Sequence, residues 1–198
     1  AELERTAGHP AAMHELEVRR ASAWLEMVQG DPAEARSLLH EAAGDAAVEG
    51  LDWEELVILH EIIRLGGDVA PHVGRVRELA DRVQGQLAQD IASHVEAKAE
   101  KDAHALGAVS EAFEAGGSLL LAAEAATAAA DVYRRDGNQR AATSWARQSA
   151  ELAGGCEGAR TPGLVDTAGP MPLTKREREI ALLAAEGLTS REIAEQLF

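Results

Sequence analysis

The sequence predicts an all-α protein: stacked antiparallel helical hairpins, then a linker, then a short pair of helices. Three observations predict it. Alanine supplies much of an apolar fraction of 46%, and alanine both favours helices and lets them pack closely. Aromatic residues are only 3%, and no stretch alternates apolar and polar residues as a half-buried strand would. From about Ala11 to Ala153, apolar residues recur at helical spacing between short Gly- and Asp-containing breaks.

The breaks order the helices. Gly30-Asp31-Pro32 is the clearest: Gly ends one helix, Asp caps the next and Pro occupies its first turn. Gly66-Gly67-Asp68, Gly116-Gly117-Ser118 and Asp136-Gly137-Asn138 mark three more. Gly44 and Gly50 bracket a further boundary, with Asp52 as cap of a helix carrying Trp53, Leu56, Val57 and Leu59. Less marked ends fall near Pro71, Gly85 and Gly107.

A phrase repeats weakly across these pieces. Trp24 to Asp31 leads into Ala33, Ala35, Leu38 and Leu39; Ile62 to Asp68 leads into Val73, Val76, Leu79 and Ala80; Ala130 to Gly137 leads into Ala141, Ala142, Trp145 and Ala146. Each is an apolar helix, a Gly/Asp turn and an Ala-rich helix. The first two turns lie about 37 residues apart, near the period of a helical-hairpin repeat. The others do not keep that spacing, so the expected repeat is degenerate. These phrases resemble tetratricopeptide-type repeats, in which small side chains on one helix accept large ones from its partner and hairpins stack into a superhelix. A compact helical bundle without repeats is the alternative.

Residues 154–172, GGCEGARTPGLVDTAGPMP, lose helical periodicity and are dense in Gly and Pro, so they read as a linker between a body at 1–153 and a terminal segment at 173–198. In that segment Thr174 and Glu177 have capping-box spacing, and Ile180, Leu183 and Ala184 follow with helical periodicity. Gly187 then stands where a left-handed helix end favours Gly. Thr189 or Ser190 caps a second helix with an apolar stripe of Ile193, Ala194 and Leu197. Helix, Gly turn and capped helix are the opening of a helix-turn-helix DNA reader.

Leu173-Thr174-Lys175-Arg176-Glu177-Arg178-Glu179, then Gly187-Leu188-Thr189-Ser190, then Glu192 through Phe198, closely resemble the start of the LuxR-type DNA-binding domain. The resemblance implies a domain core of Leu173, Ile180, Leu183, Gly187, Ile193, Ala194 and Leu197. Thr189, Ser190 and Arg191, at a helix N-terminus, are suited to a phosphate oxygen of the DNA backbone, and simple capping explains the two hydroxyls equally well. In the family the recognition helix follows the position of Phe198, so this chain alone is expected not to read DNA bases. Ala1 in place of an initiator Met suggests truncation at the front as well.

Taken with the repeats, the segment resembles the large LuxR-type ATPase regulators of the MalT group. That resemblance implies an ATP-binding module before Ala1, a protein or small-molecule effector on the repeats, and a shift between silent and DNA-competent states. Homo-oligomerisation is compatible with it. A helical-repeat interaction scaffold without DNA binding is the rival reading.

The formal charge of −15 means that the body repels phosphate and is not itself the nucleic-acid surface. Cys156 is the only cysteine, which excludes an internal disulfide and a cysteine-rich metal site. The lack of a signal peptide and of a membrane-length apolar run predicts a cytoplasmic protein without a membrane partner. No cofactor is expected in this chain. Phosphate-binding Gly loops and Gly-x-Ser-x-Gly are absent, and His60-Glu61-Ile62-Ile63-Arg64 lacks the second His of a zinc-protease helix. Asp90/His94 and His94/Lys98 are read as surface i,i+4 pairs, and His9, His14, His40, His72 and His104 show no ligand spacing, so no enzyme or metal site is expected. Trp24, Trp53 and Trp145 are expected in the core, or lining a groove that binds a peptide or small molecule.

Overall fold

Where the backbone turns left-handed, the helices end. The computed structural model describes residues 9–165 together with Ile180, Leu183, Ala185, Leu188, Glu192 and Ile193. It divides into two units, Ala1–Val165 and Asp166–Phe198. Among the described residues the first unit is all helix and turn: α1 (His9–Gln29), α2 (Pro32–Glu49), α3 (Asp52–Arg64), α4 (Val73–Val83), α5 (Gln86–Glu100), α6 (Ala103–Ala115), α7 (Leu119–Arg135) and α8 (Gln139–Gly154), with 3-10 turns at Ala70–His72 and Pro162–Leu164. Every helix packs on the next, from α1 on α2 to α7 on α8. The short connections make successive helices antiparallel. The first helices of neighbouring hairpins also touch, α1 with α3 and α3 with α5.

The repeat is more regular than the sequence suggests. The turns inside the four hairpins carry a positive φ at Gly30, Gly66, Lys101 and Gly137, at intervals of 36, 35 and 36 residues. The third turn is invisible to a reading by Gly and Pro, because Lys101 adopts φ 55 without being a glycine. Its helix end is closed by the Lys101 and Asp102 N–H groups, which donate to the carbonyls of Lys98 and Ala97. Asp102 then caps α6, accepting from the N–H groups of His104 at 2.9 Å and Ala105 at 3.0 Å. Asp31 and Asn138 cap α2 and α8 in the same way.

Other expected boundaries move. Gly44 lies inside α2, and Asp52 is the first residue of α3 rather than its cap, a position taken by Leu51. Gly107 lies inside α6 for a packing reason: a Cβ there would overlap the Trp145 ring.

One apolar cluster runs from Leu16 in α1 to Leu152 in α8, with Ala35, Ala42, Ala46, Ala122 and Ala125 letting the helices approach. A second, of Ala97, Ala103, Leu106, Ala129 and Val132, is covered by Tyr133 and Trp145. Trp24 is half-buried against the first cluster. Trp53 departs from its expected core place and is 38% exposed at the start of α3, because its neighbours Leu56 and Leu59 take the inward face. Between α7 and α8, Ser149 donates to the Ala123 carbonyl at 2.9 Å and pairs with Thr127 at 2.7 Å, so both buried hydroxyls are satisfied.

The stretch expected to be free linker from Gly154 is in part attached to the body. Gly154 ends α8, and Pro162–Leu164 packs on α7. Thr161 is 8% exposed and Leu164 rests on the main core. Gly and Pro here make a close-fitting turn instead of a spacer. Residues 166–172 of the expected linker lie outside the described residues.

Replacing Gly107 by Ala is expected to destabilise the protein by about 1–3 kcal/mol, the cost of overpacking, although Ala is the better helix former. Urea unfolding of the two proteins, monitored by circular dichroism, checks this.

Candidate functional site

Two places concentrate polar chemistry: the terminal segment and a charged seam across the first helices. In the terminal segment Ile180, Leu183 and Ala185 are helical, Leu188 is not, and Glu192 and Ile193 are helical again. The Leu188 N–H donates to the Leu183 carbonyl at 3.1 Å. This five-residue span is the six-to-one bond of a Schellman helix end, usually accompanied by contact between the two side chains it joins. Leu183 and Leu188 are both half-buried, and Ile193 is buried. Ile180 departs from the expected core and is 39% exposed. The remaining expected positions, Leu173, Gly187, Thr189, Ser190, Arg191, Ala194 and Leu197, lie outside the described residues.

The seam begins with three buried glutamates, Glu55, Glu61 and Glu124, each held by an arginine fork from another helix. Arg75 of α4 donates through Nε and Nη2 to Glu55 at 2.7 and 2.6 Å. Arg20 of α1 donates to both oxygens of Glu61 at 2.8 Å. Arg64 of α3 donates to Glu124 of α7 at 2.7 and 2.9 Å. Planar guanidinium matches carboxylate in this two-bond geometry, which is why arginine serves at each site.

Two of the pairs join into one chain. Trp24 Nε1 donates to Glu61 at 3.3 Å, and the Arg64 guanidinium carbon lies 5.1 Å from the centre of the Trp24 ring. The chain therefore passes from Arg20 through Glu61, Trp24 and Arg64 to Glu124. It ends at Thr161, whose hydroxyl donates to Glu124 Oε1 at 2.6 Å. Lys98 of α5 is half-buried beside it. Burial pushes its ammonium below the ordinary value, with Glu124 and Asp131 opposing.

A histidine pair lies next to this chain. His60 Nε2 and His94 Nδ1 are 2.8 Å apart, and both rings pack on Phe113. His94 Nε2 is buried without a partner among the described residues. An orphaned N–H costs more than an orphaned lone pair, so His94 is assigned as donor through Nδ1. Burial holds both histidines well below 6.5, aided at His60 by the charge of Arg64 and at His94 by His60 and Lys98.

Asp90 and His94 are thus not the surface pair expected. Both are buried, and the Asp90 carboxylate accepts from Gln86 at 2.8 Å. Helical spacing put them on one face but could not say which way the face points. Sequence reasoning also missed Glu61 and Glu124. The available signal was a lone carboxylate inside an apolar run: Leu119 to Ala130 is interrupted by Glu124 and Thr127 alone.

Replacing Arg64 by Met would leave Glu124, 3% exposed, without its two-bond guanidinium partner. This is expected to cost about 3–5 kcal/mol, and adding Glu124→Leu should recover much of it; urea unfolding of both variants checks the sign. The histidines set a pH dependence. Each binds a proton more readily unfolded than folded, so their contribution to stability is intact above pH 6.5 and is lost as pH falls below it towards their depressed values. The urea midpoint should drop between pH 7 and pH 5, and His60→Leu with His94→Leu should flatten that drop.

The first unit thus supplies a helical stack crossed by a charged seam, and the second supplies a closed helix end, with Glu192 and Ile193 helical again beyond it. Among the described residues no helix is long and apolar enough to cross a membrane. No curated protein and no solved structure matches the chain. Residues 171–198 match the GerE family model, described as bacterial regulatory proteins, luxR family.

Proposed function

We propose that the chain is part of a DNA-binding transcription regulator, in which a helical-repeat body governs a LuxR-type reading module. The observation that carries this is the family match over residues 171–198, on a segment whose described residues form a helix, a six-to-one helix end and a second helix with Ile193 buried. The acidity of the whole chain favours the same division of labour, since an acidic stack repels the DNA backbone and leaves binding to the module. The hairpin period of 35 to 36 residues supports a tetratricopeptide-type body, an architecture that offers extended surfaces for effectors. The body then acts as sensor or coupler, and an effector that prefers one arrangement shifts the population. Within the MalT-like reading, an ATP-binding module precedes the hairpins.

The test is DNA retention by this chain continued through the recognition helix that the resemblance places after Phe198. Binding should fall log-linearly with salt, and Arg191→Ala should reduce the slope of that line by about 1, the value for one lost phosphate contact. Retention that is absent at low salt would overturn the regulator reading and leave a helical-repeat interaction scaffold.

A further inference from the structure

We propose that the first-helix face carries a peptide-docking site built on the Glu124–Arg64 pair, and that the chain's own segment 159–165 occupies it as a removable internal ligand. The segment fits by specific chemistry. The Thr161 hydroxyl donates to Glu124 Oε1 at 2.6 Å, on the carboxylate that already accepts both bonds of the Arg64 fork. Two residues on, Gly163 passes so close to Glu124 that an added Cβ would lie 2.9 Å from the glutamate Cγ and Cδ. The glutamate cannot swing aside, because Arg64 holds both of its oxygens. Leu164 then sets an aliphatic side chain on the main core. The site thus selects a hydroxyl residue, a residue without a side chain two places later, and an aliphatic residue after it. Pro162 stiffens the step between.

The way the segment is held makes it detachable. Its backbone hydrogen bonds are local: the Ala159 N–H donates to the Cys156 carbonyl, Leu164 to Thr161 and Val165 to Pro162. None of these joins it to α3 or α7. When it leaves, Glu124 keeps both Arg64 bonds, so no buried charge is orphaned and only one lone pair returns to water. Segments with few apolar contacts and locally closed backbone bonds are the ones that open at low free-energy cost.

While the segment is seated, the chain as far as Val165 belongs to the body, and the connection to residues 171–198 begins only after it. Unseating it lengthens that connection by the segment itself. A competitor of the same chemistry, an extended hydroxyl-Pro-Gly-aliphatic peptide, would therefore alter the freedom of the module. This consequence rests on the proposed DNA-reading role; the docking itself does not.

Hydrogen exchange on the whole chain tests the docking without DNA, so its failure is distinct from failure of the regulator reading. Gly163→Ala is expected to speed exchange of the Leu164 and Val165 amides at least tenfold while α3 and α7 keep their protection, and Thr161→Val should act in the same direction. In a second arm, a fluorescent peptide with the sequence of residues 157–167 is added in trans. It should bind the Gly163→Ala chain at least tenfold more tightly than the parent, whose site is filled, and a peptide with Val for Thr161 should bind more weakly. Unchanged exchange in both variants, equal loss of protection through α3 and α7, or no binding of the peptide to the Gly163→Ala chain would each overturn the proposal.

Discussion

The arginine–glutamate chain across the first helices is the constraint to which the rest of the body answers. An alanine-rich core gives close approach but little geometric specificity, since small apolar surfaces slide past one another at modest cost. A buried carboxylate permits no such slippage. Glu124 sits among Ala122, Ala123, Ala125 and Ala126 and must be met by Arg64 in two-bond register, or its desolvation is uncompensated. Glu61 makes the same demand on Arg20, and Glu55 on Arg75. The apolar clusters supply the burial that drives association, and the three carboxylates fix which helix faces meet.

Much of the architecture was legible because helix ends have a chemical signature. Gly30, Gly66 and Gly137 announce three of the hairpin turns, and Asp31 and Asn138 announce the caps that follow. The third hairpin was hidden because a lysine takes the left-handed place at Lys101, and nothing in a lysine marks that conformation in advance. Its loss made a regular repeat look degenerate. Gly107 misled in the opposite sense, since a glycine chosen for the Trp145 ring reads as a break when only one helix is in view.

The site was less legible than the fold, for a related reason. Spacing along one helix is local, whereas Arg64–Glu124 and His60–His94 join residues 60 and 34 positions apart. A periodicity argument places His94 and Asp90 together but cannot tell a solvated face from one turned into a neighbouring hairpin. The linker shows the same limit. Gly and Pro at 154–172 read as a linker, yet Gly163 and Pro162 are what let the chain lie flat against Glu124. In the terminal segment the sequence located a helix end that the Leu188–Leu183 bond displays, while overestimating how deeply Ile180 is covered.

Arg64 has one more consequence. A linear array of hairpins owes its cohesion to adjacent units, and such arrays can lose their terminal units piecemeal. Here the second hairpin grips the fourth directly, reaching past the third. The grip ties ends to middle, so departure of the last hairpin would strip the counter-ion from the second. Such a bond favours melting of the body as a single cooperative block, because it links α7 to Arg64 and the Trp24 ring without an intervening hairpin.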